Sequence, residues 1–101
     1  MKYLILFMIL FHSPLYAVDL ISSNYKCTHK DNDLVREVKI IHKEKGCQVN
    51  YTKSVGTVDE NTRTLWSAKN STEYCDNKGH AFVEKKLQQE FGWICVDQIN
   101  N

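Results

Sequence analysis

The sequence has no excess of charge of either sign and little that would mark a linker. One of its 13 lysine and arginine residues lies within the first 17 positions, which contain no acid, so twelve basic side chains balance twelve acidic ones in residues 18–101. A nucleic-acid-binding protein usually shows a basic excess or stripe, and a protein that binds anionic membranes a basic cluster. We therefore expect neither partner. The chain has one proline, four glycines and no repeat or low-complexity tract, which predicts a single domain.

Motifs for catalysis and metal binding are also absent. The sequence contains no H-x-x-x-H or H-E-x-x-H pattern, no G-x-S-x-G serine and no phosphate-cradling glycine loop. No two cysteines stand at the short spacing of a zinc ligand pair. We expect no catalytic residue, no metal site and no cofactor. The alternative is a small secreted hydrolase that uses His80 or a carboxylate.

Residues 1–17 have the layout of a secretory signal peptide. Lys2 is followed by an apolar run without charge over 3–11 and by a segment that ends in the small residue Ala17. The run is well short of the roughly 20 residues that a bilayer core needs. We therefore expect cleavage after Ala17, no membrane anchor afterwards, a domain over 18–101, and a periplasmic or secreted location.

Hydrophobic periodicity predicts a small α+β domain. Alternation of apolar and polar residues predicts strands over 25–29, 34–42, 47–53 and 64–69, and a last strand over 93–96. Residues 18–24 are interpreted as a lead-in and residues 54–63 as a polar loop. A run of strands followed by one helix favours an antiparallel sheet, in the order β-β-β-β-α-β, with the helix packed on one face.

The helix is predicted over 70–91. Asn70 and Glu73 have capping-box spacing, with Ser71 and Thr72 as rival caps. Gly92 suits the residue after the helix, because glycine adopts a positive φ at little cost. A four-residue recurrence predicts one buried stripe, formed by Cys75, Gly79, Val83, Leu87 and Phe91.

Four cysteines in an exported chain predict two disulfides. Four cysteines allow three pairings. A Cys75–Cys95 bond is disfavoured because the helix alone separates its ends by roughly 20 Å. We favour Cys27–Cys95 with Cys47–Cys75, and keep Cys27–Cys75 with Cys47–Cys95 as the other pairing. Each bond is expected to contribute roughly 2–4 kcal/mol.

The function predicted from these features is a monomeric, non-catalytic module that binds an unknown protein partner, as an inhibitor of an envelope-active enzyme would. Function often lies on loops held by a rigid scaffold. The predicted contact is therefore in the loop over 54–63, at Val58, Asp59, Glu60, Asn61 and Arg63. Trp66 and Trp93 are assigned to the core, because each stands among apolar residues in a predicted strand.

Part of the chain resembles small exported proteobacterial proteins of unknown function. The pattern C-x-V-x-Y-x-K, L-W-x-A-x-N, Y-C-[DE]-x-K and G-W-x-C is matched by CQVNYTK at 47–53, LWSAKN at 65–70, YCDNK at 74–78 and GWIC at 92–95. Two positions depart from it: Gly46 stands where the pattern has proline, and Gly79-His80 where it has alanine. The resemblance implies an exported bacterial domain and assigns no functional residue. It also lowers the weight of the N-x-[ST] triplets at Asn50 and Asn70 as glycosylation sites.

Overall fold

The computed structural model describes residues 19–100, which form one antiparallel sheet with a helix across one face. The elements are β1 (Leu20–His29), β2 (Asn32–His42), β3 (Cys47–Lys53), β4 (Asn61–Ala68), α1 (Glu73–Ala81), π1 (Phe82–Glu90) and β5 (Ile94–Asp97). The spatial order of the strands is β4-β3-β2-β1-β5. The predicted α+β class and the order β-β-β-β-α-β are confirmed.

The predicted signal peptide, residues 1–17, lies outside the described part of the chain. Within residues 19–100 no helix is both long and apolar enough to cross a bilayer.

The two faces of the sheet follow from the alternation of side chains along each strand. Val38 lies between Tyr25 of β1 and Tyr51 of β3, and Ile40 lies opposite Val49. These side chains point toward the helix and form the core with Cys27, Cys47 and Leu87. The opposite face carries polar residues such as Lys26, Lys39 and Asn50, as antiparallel sheets with one solvated face do.

The first strand is longer than the sequence predicts. Residues 20–24, interpreted as a lead-in, pair with the end of β2, with Leu20 opposite His42. The side-chain amide of Asn100 also donates to the Ser22 carbonyl, at 2.8 Å, and to the Ser23 hydroxyl, at 3.2 Å. Contacts with the other end of the chain therefore help to hold this segment in the sheet. A local sequence pattern cannot predict such contacts.

The loop after β3 is shorter than predicted. It spans 54–60, because β4 begins at Asn61, which pairs with Lys53. The hydroxyls of Thr52 and Thr62 lie 2.7 Å apart. Such a polar cross-strand pair stabilises a sheet without producing an apolar alternation. Asn61 and Arg63, predicted in the loop, are therefore strand residues.

The helix begins at Glu73, and its N-cap position is Thr72, one of the rival caps and two residues after the predicted cap Asn70. The backbone N–H of Tyr74 donates to the Ser71 hydroxyl at 3.1 Å, which satisfies one of the free donors at the helix start. The predicted capping box between Asn70 and Glu73 is wrong, since the helix begins at its second member. Ser71, one of the rival caps, makes the bond instead.

The buried stripe is confirmed at four of its five positions: Cys75, Gly79, Val83 and Leu87 are buried, whereas Phe91 is 49% exposed. Phe91 ends the helix, and the positive φ of Gly92, 76°, then turns the chain toward β5. The backbone N–H of Phe91 already bonds to the carbonyl of Lys86, five residues back. This wider winding and the turn after it remove Phe91 from the stripe.

Both predicted disulfides are confirmed. Cys27 and Cys95 face each other across β1 and β5, and their Cα atoms lie 4.0 Å apart. Cys47 at the start of β3 is bonded to Cys75 in α1, with Cα atoms 5.9 Å apart. One bond therefore fixes the beginning of the helix to the sheet, and the other fixes the strand that follows it.

Candidate functional site

The predicted contact loop protrudes from the sheet between β3 and β4. Val58 stands at its tip with its side chain wholly exposed, and Asp59 and Glu60 beside it are exposed too. Asn61 and Arg63 lie further along the same side of the protein, at the start of β4. The five predicted contact residues are thus consecutive or nearly so on the surface, although only three of them are loop residues.

Hydrogen bonds within the loop hold its shape. The Thr57 hydroxyl donates to the Ser54 carbonyl at 2.8 Å, and the Gly56 N–H donates to a Glu60 carboxylate oxygen at 2.7 Å. Ser54 and Gly56 adopt positive φ values of 54° and 79°. A loop that is already ordered loses less conformational entropy when it binds a partner.

A groove separates the helix from β4. Cys75 pins the start of α1 over β3, and α1 packs on β2, β3 and β4. Beyond Phe82, which meets the rings of Tyr51 and Trp66, π1 packs mainly on β5, at the opposite edge of the sheet from β4. The helix therefore crosses the sheet diagonally and moves away from β4 along its length. The space left open is the groove, with a volume of about 560 Å³.

Apolar side chains form the floor of this groove. Leu65 and Trp66 line it from β4, and Ala81 and Phe82 line it from the helix. The rings of Trp66 and Phe82 meet edge to face, with centroids 5.7 Å apart. All four side chains are half-buried, so the protein leaves part of this apolar surface in water.

Lysines surround the apolar floor. Lys78, Lys85 and Lys86 line the groove together with a single acid, Glu90. Lys86 pairs with Glu90 at 3.1 Å. Within the described residues, Lys78 and Lys85 have no carboxylate within ion-pair distance. The groove is therefore apolar at its centre and positively charged at its edge.

Sequence reasoning assigned both tryptophans to the core and missed the groove. That assignment is confirmed for Trp93, which is 6% exposed, and only half holds for Trp66. The available signal was the pair of lysines, Lys85 and Lys86, directly after the aromatic and apolar residues Phe82 and Val83. The sequence alone does not show that these residues face β4, because that depends on how the helix crosses the sheet.

His80, the residue of the alternative hydrolase, is exposed on α1 and bonds to Tyr25. Its Nδ1 lies 2.5 Å from the Tyr25 hydroxyl. Burial raises the pKa of Tyr25 above its ordinary value, and the carboxylates of Asp97 and Glu84 add to the rise. The phenol therefore stays neutral and shares a hydrogen bond with the imidazole. His80 is not among the residues that line the groove.

A serine, an aspartate and a histidine also meet beneath the helix start, in an order unsuited to catalysis. Asp76 Oδ1 lies 2.8 Å from His42 Nε2 and 3.5 Å from the Ser22 hydroxyl. A nucleophilic serine needs the histidine next to it and the acid behind the histidine. Here the acid stands between the two, which ties α1 to β1 and β2. Residues 19–100 also contain no group of three or more potential metal ligands.

Comparisons with known proteins identify no family for this chain. No family model matched the sequence, and no curated protein or solved structure showed significant similarity to it.

Proposed function

We propose that this protein is an exported, non-catalytic module that binds a protein partner through the groove between β4 and the helix. The groove itself is the observation that carries the proposal. It exposes Trp66 and Phe82 in a concave apolar surface next to an open sheet edge. Tryptophan and other large side chains in such settings dominate the binding energy of interfaces.

The expected occupant is an extended segment of the partner. β4 is eight residues long and pairs only with β3 in the described sheet, so the backbone groups on its outer edge are free. An extended peptide can add to such an edge, with affinity from main-chain hydrogen bonds and specificity from pockets for alternate side chains. An apolar side chain of the added strand would then pack against the exposed surface of Trp66 and Phe82.

Charge complementarity predicts acidic residues in that segment. Lys78 and Lys85 stand at the groove edge without a carboxylate partner among the described residues. Opposite charges across an interface increase the association rate and exclude partners of the wrong sign. A segment in which apolar and acidic side chains alternate along one strand would meet both the floor and the edge.

The ordered loop around Val58 provides a second contact in this proposal. It leads directly into β4, so a strand added along β4 would pass beside it. A wholly exposed valine on a hydrogen-bonded loop offers an apolar contact with little ordering cost. An inhibitor of an envelope-active enzyme would use such a protruding loop and edge together.

Two disulfides support the exported location, because such bonds persist in oxidising compartments. The periplasm and the extracellular space are both compartments of this kind. The resemblance to exported proteobacterial proteins points the same way.

Site-specific photo-crosslinking in envelope extract tests the proposal. A photoreactive residue replaces Lys85 at the groove edge in one protein and Lys26 on the open sheet face in another; both positions are exposed. We expect a discrete crosslinked product from position 85 only, and the captured peptide should contain apolar and acidic residues. A second groove substitution, Lys78→Glu, should remove the product. A matched substitution at Lys30, which is exposed and outside the groove, should not.

Two outcomes would contradict the groove assignment. One is equal crosslinking from positions 85 and 26, which would indicate nonspecific contact. The other is a product that survives Lys78→Glu and disappears when Val58 and Asp59 are replaced by Gly-Ser, which would transfer the contact to the loop alone.

A further inference from the structure

A second concavity lies at the end of the sheet where β1 turns into β2. It has a volume of about 540 Å³ and is lined by residues from β1, β2, β3 and the helix end. Its innermost groups are Arg36 of β2 and the buried Trp93. Lys53 lines it from β3, and Asp31 lines it from the β1–β2 turn. Pockets for small molecules have volumes in this range.

Arg36 is held in place by two aromatic residues. Its guanidinium carbon lies 4.4 Å from the centroid of the Trp93 indole ring, the geometry of a cation–π contact. Its Nη1 also donates a hydrogen bond of 2.6 Å to the Tyr51 hydroxyl. One face of the guanidinium therefore lies on the Trp93 ring, and Nη1 is bonded to Tyr51. Within residues 19–100, its other N–H groups donate no hydrogen bond.

A second positive charge lines the same concavity. The Lys53 ammonium is 5.7 Å from the centroid of the Tyr51 ring, and the Arg36 guanidinium is 5.9 Å from the same centroid. Neither forms an ion pair within residues 19–100. Burial raises the pKa of Tyr51, against the opposing charge and hydrogen bond of Arg36, so the phenol stays neutral and offsets neither cation.

The neighbouring histidine is occupied and does not compete for a ligand. His29 Nδ1 accepts the backbone N–H of Asp31 at 3.0 Å, so Nε2 carries the proton and donates to the Phe91 carbonyl at 3.0 Å. The His29 ring packs edge to face on Trp93, with centroids 5.1 Å apart. These contacts fix the wall behind Arg36 and leave the two cations as the groups that face a ligand.

We propose that this concavity binds the oxyanion group, a carboxylate or a phosphate, of a small organic ligand. A guanidinium held in one plane presents parallel N–H donors that match either group. Lys53 adds a second charge from the opposite strand, and the volume exceeds that of a bare ion, so an organic part of the ligand lies along the exposed ring of Phe91. Asp31 opposes binding by its negative charge and favours ligands that place their anion on Arg36.

The site is separate from the groove of the proposed binding function. Residues of β4 and the helix line the groove, whereas residues of β1, β2, β3 and the helix end line this concavity. The two sites share no lining residue. Failure of one proposal leaves the other standing.

Nuclear magnetic resonance titration of the oxidised protein tests the site, with inorganic phosphate and benzoate as the two probes. We expect saturable shifts at the side-chain N–H groups of Arg36 and Trp93. Saturation by benzoate alone assigns a carboxylate ligand, and saturation by phosphate alone a phosphate ligand; either supports the proposal. Shifts that rise linearly with both salts, without saturation, would overturn it.

Three variants keep the test independent of folding, because each changes an exposed side chain. Lys53→Gln should weaken binding about fivefold, the effect of losing one partly screened charge contact. Asp31→Asn should tighten it by a similar factor, since it removes the opposing charge. Lys85→Gln, in the groove, should leave it unchanged. Equal affinity in the wild type, Lys53→Gln and Asp31→Asn proteins would show that the probes do not occupy this concavity.

Discussion

The two halves of the helix meet the sheet in opposite ways. In α1 the residue facing the sheet is Gly79, and a Cβ atom there would lie 2.6 Å from Cδ1 of Ile40. The absence of a side chain therefore lets the helix backbone lie against the sheet. In π1 the first residue is Phe82, whose ring meets those of Trp66 and Tyr51 with centroids 5.7 and 5.1 Å away. Three rings therefore pack together where this half of the helix begins.

The two halves therefore differ in side-chain size where they meet the sheet: Gly79 admits the helix backbone, whereas Phe82 places a ring against Trp66 and Tyr51 beside the groove. The backbone changes winding at the same place, from α to π between Ala81 and Phe82. π-helical turns occur often at functional sites. Both halves contribute buried side chains to the core, and the groove that we propose for binding lies where they join.

The largest expected effect on stability comes from removing each disulfide in turn, because one bond fixes the start of the helix and the other fixes the strand after it. Cys27–Cys95 spans a sequence separation of 68 residues and Cys47–Cys75 one of 28. Chain entropy assigns them about 4.4 and about 3.6 kcal/mol. We expect the Cys27→Ala/Cys95→Ala protein to lose about 0.8 kcal/mol more unfolding free energy than Cys47→Ala/Cys75→Ala, as measured by urea denaturation. The reverse order would indicate that native packing around α1 outweighs loop closure.

Filling the close contact should have the next largest effect. Gly79→Leu places a bulky side chain against Ile40, which is fully buried, and overpacking of this kind costs about 1–3 kcal/mol. Gly79→Ala should also destabilise the protein, although less, because its single methyl group meets the same side chain. In an exposed helix the alanine would instead stabilise by up to about 1 kcal/mol.

Gln89→Leu, at an exposed position of π1, is the matched control for the leucine substitution and should leave the melting temperature nearly unchanged. A Gly79→Ala protein more stable than the wild type would mean that α1 can move away from the sheet at little cost. The contrast between the two helix halves would then be lost.

The smallest expected effect comes from Asp97 at the end of β5, and it appears in the pH dependence of stability. Burial by itself would raise the pKa of Asp97, but hydrogen bonds from the Asn100 side chain and from three backbone N–H groups lower it from 3.8 to about 2. The folded state thus binds this proton less readily than the unfolded state. Its contribution is complete above pH 3.8 and is lost as the pH falls toward 2.

The Asp97→Asn variant sharpens this test, because it removes the titrating group. We expect the difference in unfolding free energy between wild type and variant, measured by urea denaturation, to shrink between pH 5 and pH 2. A difference that stays constant over this range would show that the hydrogen bonds around Asp97 do not depend on its charge.

Local patterns in the sequence determined most of the sheet. Strict alternation in β2 and β3 predicted both strands within two residues of their observed bounds, because each has one face in the core and one in water. Helix length disfavoured a bond between Cys75 and Cys95 and so reduced the three possible disulfide pairings to two; the structure shows which of the two forms. The stripe over Cys75, Gly79, Val83 and Leu87 followed from helical periodicity. Each inference uses only residues close in sequence or a fixed dimension of the backbone.

The start of β1, the groove and the concavity at Arg36 depend on contacts between separate elements. Leu20 to Asn24 became strand because β2 pairs with them and Asn100 binds them from the far end of the chain. The groove exists because the helix crosses the sheet diagonally, which no periodicity records. Arg36 became part of a concavity because Trp93, distant in sequence, folds against it. Such contacts join residues separated by most of the chain, and their geometry depends on the packing of all the elements between them.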